Sequence, residues 1–241
     1  MIKFTKEGIL NCFTEGLTTP LIFLFLIFGF TLILTKLNYK FFKTKFKEYP
    51  AYLLYFLSFF GMFVAVPGII IFIFEKDPMA YLKSIGFSFG DFNKGIVLLA
   101  FLVPAILIIS FLSVKDPKIQ KQYPFTKDAC SSLKKFLFYE LSYLFLYYFS
   151  WEFIFRGIIF FKLIESNGLI VALAVQTIIS TVYHVEHPVT EINGAMVGGF
   201  VFGLVAFITH SFFYSIILHA LLGITNDVLL YLRKDKLQEK A

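Results

Sequence analysis

Cysteine is nearly absent from this chain, and charge is scarce. Cys12 and Cys130 are the only two cysteines in 241 residues, so neither a disulfide framework nor a CxxC metal pattern is available. Charged residues make up 16% of the sequence, well below the share of about a quarter found in average soluble domains. There is no HExxH, which removes the commonest single-helix zinc hydrolase signature. No internal repeat, low-complexity linker or soluble domain interrupts the sequence. The net charge of +6 carries no nucleic-acid signal, because the lysines sit in short intervals between apolar runs.

What fills the chain is apolar and aromatic: 58% hydrophobic residues, with 34 Phe and 13 Tyr. Runs long enough to cross a bilayer, about 20 residues each, occur near 17–36, 51–74, 95–114, 133–150, 167–184, 192–209 and 211–232. The expected fold is an all-α polytopic transmembrane bundle of seven spans, or eight if 150–165 crosses on its own. That stretch is apolar but carries Glu152, Arg156 and Lys162. The first run lacks a small-residue cleavage site and reads as a spanning helix rather than a signal peptide.

Basic residues crowd three segments: Lys36 to Lys47, Lys115 to Lys135, and Arg233 to Lys240. With seven spans all three fall on one side, which the positive-inside rule makes cytoplasmic, with the N-terminus outside. The expected organisation is N-terminal helices over 1–132 without identifiable chemistry, a core over 133–232 and a basic tail over 233–241. Pro67 and Pro104 read as simple kinks. The glycines from Gly194 to Gly203 carry two overlapping small-xxx-small spacings, which predict a close helix approach.

Chemistry-bearing residues concentrate after position 150. Ionised side chains inside a membrane are costly, so they usually face a bundle interior or a water-filled cavity and serve a function. Glu152 and Arg156 are four apart and share a helix face. His184, His187, His210 and His219 are the only histidines. Glu152, His184 and His219 come from separate apolar segments, the arrangement of a site built between helices. Glu152 is the candidate general base, against the plainer reading of a structural ion pair with Arg156.

His184 and His219 are candidate oxyanion donors or ligands of Zn²⁺ with an open position for water. Glu191 is either a carboxylate favoured by a helix N-terminus or a second pocket acid. His187 and Pro188 read as a turn, with Pro188 opening the next helix. Asn226 shares the His219 face almost two turns on, whereas Asp227 lies off that line, near the basic tail.

At these residues the chain resembles the CAAX protease and bacteriocin-processing (Abi) family, which includes the type II CAAX prenyl endopeptidases. The family is marked by EExxxR, FxxxH and HxxxN or HxxxD on successive helices. Glu152 and Arg156 match the second glutamate and the arginine, and Phe155-Arg156-Gly157 resembles the common FRG ending. His184 and His219 match the histidines of the second and third motifs. The resemblance covers roughly 133–231 and departs at three positions: Trp151 for the first glutamate, Ser180 for the phenylalanine, and Gly223 for the Asn or Asp.

The resemblance implies intramembrane proteolysis, metal-dependent or by glutamate and histidine alone, of a membrane-embedded or lipidated peptide. The implied partners are that substrate and the lipid bilayer, not nucleic acid, and the implied setting is a multi-pass protein of the cell membrane. Trp151 and Gly223 favour a catalytically silent scaffold as the alternative. A proton-coupled transporter finds less support, since no repeat with paired broken helices is present.

Overall fold

Only a helix or a closed barrel satisfies the backbone of such apolar runs inside hydrocarbon, and every described element is helical. The computed structural model describes residues 17–185 and 187–238, apart from the side chains of 48 and 234–238. Cys12, Lys3, Lys6 and Lys240 therefore lie outside the described residues, as does the expected placement of the N-terminus.

Six helices among the described residues are long and apolar enough to cross a membrane: α1 Thr18–Thr35, α2 Tyr49–Phe74, α3 Phe92–Ser113, α4 Leu133–Val182, α5 Val189–Thr209 and α6 Phe213–Arg233. The count is of helices, and the expected runs near 133–150 and 167–184, together with 150–165, fall in a single one, α4, a helical stretch of 50 residues. Residues 150–165 continue the preceding helix and form no separate span.

That stretch is folded back on itself. Gly168 has φ 81° and ψ 170°, a region open essentially to glycine alone. Beyond it the chain reverses, so the Phe155 and Tyr183 rings meet at 5.7 Å. In a straight helix those residues would stand about 42 Å apart. The return arm lays Tyr183 and His184 against the Trp151 indole, at 5.5 and 5.2 Å.

The charges of 150–165 divide accordingly. Lys162 and Glu165 pair at 2.9 Å near the fold-back, where Lys162 Nζ also lies 4.5 Å from the Tyr81 ring centroid. Glu152 and Arg156 stay in the bundle.

Aromatic side chains hold the first arm of α4 to α2. Phe56 stacks on Tyr143 at 4.8 Å with the planes 1° apart, and Phe59 and Tyr147 lie 4.5 Å apart. Lipid is as apolar as these side chains, so close packing rather than water exclusion drives helix association here. Each well-placed aromatic pair contributes about 0.5–1.5 kcal/mol beyond its buried area.

The glycine-rich segment of α5 performs two tasks. Gly199 and Gly203 lie against Thr177 and Gln176 of the α4 return arm, and Gln176 Nε2 donates to the Gly199 carbonyl at 2.8 Å. Gly194 and Gly198 face a cavity instead. Pro67 follows a π-helical turn, Gly61–Ala65, while Pro104 stands inside the continuous helix α3.

The first two basic segments and Arg233, which opens the third, converge on one end of the bundle. Tyr39 Oη donates to the Phe125 carbonyl at 2.8 Å, and Arg233 Nη1 donates to the Val114 carbonyl at 3.2 Å. The opposite end is closed by Asp91 N donating to the Thr209 carbonyl at 2.7 Å and by Tyr214 Oη donating to the Phe89 carbonyl at 2.9 Å.

Candidate active site between α4, α5 and α6

Glu152 sits between two π-helical turns, Tyr143–Tyr148 and Phe153–Ile159. Such wide turns are uncommon and frequently mark functional sites. The carboxylate is completely buried. Its Oε1 accepts from Arg156 Nη1 at 3.2 Å and lies 2.6 Å from His219 Nδ1 of α6. Its Oε2 has no protein partner.

Arg156 is 2% exposed, and its guanidinium carbon lies 5.8 Å from the Phe202 ring centroid, within cation–π range. Its Nε has no partner. A buried pair of this kind is strongly destabilised by loss of either member, by about 3–5 kcal/mol.

A cavity of about 160 Å³ lies beside this pair, walled among others by Arg156, His184, His187, Glu191 and His219. Ile119, Tyr123 and His187 belong to its wall as well, which puts it at the basic end of the bundle. Glu152 is not on the wall. It stands behind His219, whose side chain is 16% exposed.

The hydrogen bonds fix the imidazoles. A carboxylate only accepts, so His219 Nδ1 donates to Glu152 and the neutral ring keeps a bare Nε2. His184 Nδ1 lies 2.9 Å from the Ser180 carbonyl, which likewise makes Nδ1 the donor. Burial pushes the His184 imidazole down to about 4, outweighing the opposing effect of the Glu191 carboxylate. His184 Nε2 therefore presents a lone pair, 4.0 Å from Glu191 Oε1.

Glu191 is not the simple helix-terminus carboxylate that its position in the first turn of α5 allows. Its Oε1 accepts from Tyr123 Oη at 2.6 Å and lies 2.6 Å from His187 Nδ1, while its buried Oε2 is unpartnered. His187, read from sequence as a turn residue, thus belongs to the site, and Gln122 Nε2 reaches the same Nδ1 at 2.9 Å. Pro188 precedes the first residue of α5 by one position instead of occupying it. His210 ends α5 at the far end of the bundle with φ 53°.

The remaining polar residues of α6 separate. Asn226 lines the cavity and accepts from Ser113 Oγ at 2.9 Å, which ties α6 to α3. Asp227, expected near the basic tail, is completely buried and interacts with the buried Glu140 of α4. Glu140 carried no signal in the sequence beyond being an acid in an apolar run. The i,i+4 spacing of His187 and Glu191 was legible, but Pro188 between them favours a turn.

The three departures from the family motifs have structural counterparts. Trp151 is 2% exposed, stacks on Tyr147 at 5.7 Å and meets the His184 ring in a T-shaped contact at 5.2 Å. Ser180 supplies the carbonyl that fixes His184. At Gly223 an added Cβ would stand 1.6 Å from Tyr148 Oη, so the phenol takes the place of a side chain.

The expected Zn²⁺ on His184 and His219 is not matched by a ligand set. Among the described residues, no group of three or more His, Cys, Asp or Glu side chains is placed to hold a metal ion. The Nδ1 atoms are engaged on Ser180 and Glu152, which leaves each Nε2 as the nitrogen open to a ligand.

No curated protein and no solved structure matches this chain. Residues 134–225, which contain Glu152, Arg156, His184, Glu191 and His219, match the family described as Type II CAAX prenyl endopeptidase Rce1-like, the same kind of membrane protease that the motifs resemble.

Proposed function

We propose that the chain is an intramembrane endopeptidase that hydrolyses a peptide bond of a membrane-associated or lipidated protein. The observation that carries this reading is the 2.6 Å contact between His219 Nδ1 and Glu152 Oε1. It leaves His219 Nε2 as a base on a cavity wall with a buried carboxylate behind it. This reassigns the roles suggested by sequence alone: the group that meets water is His219, and Glu152 orients the ring and stabilises the imidazolium. Glu152 is in turn held by Arg156.

Hydrolysis then runs as follows. His219 Nε2 takes a proton from water as the water oxygen attacks the scissile carbonyl carbon, and the carbonyl π electrons move to oxygen. On collapse the C–N bond breaks, and the departing amine takes the proton back from His219. His184, neutral with its lone pair toward the cavity, accepts a hydrogen bond from the substrate backbone or the attacking water. Glu191 supplies a second carboxylate beside His184.

The core is proposed to span 133–232, with 1–132 as supporting helices and 233–241 as the tail. The two arms of α4 on either side of Gly168 run in opposite directions, which supports an odd number of passes, and the positive-inside rule favours a cytoplasmic side for the basic end and the cavity.

The test is cleavage of quenched peptides, membrane-anchored with or without a lipid group, by purified protein in nanodiscs. Cleavage by the parent that is lost in His219→Ala supports the reading. A folded parent that cleaves none of them while retaining a binding partner favours a silent scaffold.

A further inference from the structure

A tetrahedral intermediate gathers negative charge on the former carbonyl oxygen, and hydrolytic sites place a hydrogen-bond donor there. In their neutral forms, neither His219 nor His184 can serve. His219 and His184 spend their Nδ1 protons on Glu152 and on the Ser180 carbonyl, and each presents a bare Nε2.

Tyr148 fills this gap. It ends the π-helical turn Tyr143–Tyr148, and its ring packs edge-on to His219, with centroids 4.8 Å apart. A Cβ at Gly223 would lie 1.6 Å from its Oη and 2.7 Å from its Cζ. Gly223 follows His219 by one turn on the same helix face, so the missing side chain opens a slot in which the hydroxyl sits beside the base. Tyr148, Gly223, His219 and Arg156 all line the cavity.

We propose that Tyr148 is a catalytic residue that donates its phenolic hydrogen to the scissile carbonyl oxygen as the tetrahedral intermediate forms. The role rests on the hydrolytic reading above. The proton stays on the phenol throughout, so the step changes only a hydrogen bond. Water and peptide still yield one carboxylic acid and one amine.

The test compares Tyr148→Phe, which keeps the ring against His219, with the parent on the same anchored peptide. Removing one such donor lowers kcat by about 10²–10³-fold, and KM is expected to stay unchanged because the ground-state carbonyl is bound by other groups. Tyr148→Ala with Gly223→Asn restores a donor from the opposite helix and is expected to recover part of the rate lost in Tyr148→Ala alone. Gly223→Ala is expected to lower the melting temperature of the parent and to be tolerated when Tyr148 is Ala, a reading of the slot that needs no activity. A parent that cleaves while Tyr148→Phe keeps its kcat overturns this role alone. A folded parent that cleaves nothing overturns the hydrolytic reading and this role together.

Discussion

His219 Nδ1 lies 2.6 Å from Glu152 Oε1, although the two residues stand 67 positions apart and on different helices. The carboxylate is fully buried and the imidazole reaches a cavity, so the pair forms a base unit with a hidden half and an accessible half. Groups that act as a unit are strongly non-additive on mutation. Glu152→Gln removes the charge behind the ring and admits the wrong tautomer, and should lower kcat by about 10²–10⁴-fold. His219→Ala should cost a comparable factor, and the double variant little more than either. Steady-state kinetics on folded protein checks this, and independent, multiplying losses would show that the two do not act together. Since no three donors converge among the described residues, cleavage should also persist in the presence of a chelator.

Arg156 pairs with Glu152 at 3.2 Å inside the bundle, on the oxygen that also meets His219. Arg156→Leu leaves a buried carboxylate with only His219, and should destabilise the fold by about 3–5 kcal/mol. Arg156→Lys should recover part of that, since a single nitrogen makes the observed contact. Reversible unfolding in detergent reads the difference. A loss no larger than that of an exposed ion pair, about 0–1 kcal/mol, would contradict the assignment.

The Glu152–Arg156 pair was legible because i,i+4 spacing survives any packing of the helices. The positions of His184 and His219 were legible through the motif order, though the direction of their protons was not. Tyr148 was not, since one of 13 tyrosines gains meaning only from Gly223, on another helix. Asp227 of α6 and Glu140 of α4 are both buried, a placement no local pattern encodes. Hydropathy separated the runs near 133–150 and 167–184, but the reversal itself rests on the backbone of Gly168 inside an otherwise helical stretch, which no local pattern marks.

Glu191 tests whether the cavity has a working second acid. Its Oε1 is engaged by Tyr123 and His187 side chains, and its Oε2 is free of protein partners. Glu191→Gln should therefore reduce cleavage at least tenfold, equivalent to about 1.4 kcal/mol of transition-state stabilisation, with Tyr123→Phe falling between it and the parent. An unchanged rate in Glu191→Gln with full stability would return this residue to the role of a helix-terminus carboxylate.

The reversal at Gly168 makes a stability prediction that open space cannot blur. An added Cβ there meets no atom within 4 Å, yet φ is +81°. Gly168→Ala should cost about 1–3 kcal/mol from backbone strain alone. Gly61, also with open space for a Cβ but within a helical stretch, supplies the control. There the Ala variant should be neutral or stabilising by up to about 1 kcal/mol. Equal effects at both sites in thermal unfolding would mean the chain does not turn at Gly168.

Which way the bundle sits is decided by the basic end. Tyr39 reaches Phe125 and Arg233 reaches Val114, so the segments 36–47 and 115–135 and the start of the tail are tied together whatever the number of passes. The positive-inside rule predicts that they share the cytoplasmic side. With Cys12 and Cys130 replaced by Ser, single cysteines at Lys43, Lys121 and Lys236 should resist an impermeant maleimide in intact cells and label after permeabilisation. A cysteine at Lys76, between α2 and α3, should label in intact cells. Labelling of all four from the same side would break the alternation of α2, and labelling of Lys43 and Lys121 from opposite sides would separate segments that the Tyr39 to Phe125 hydrogen bond joins.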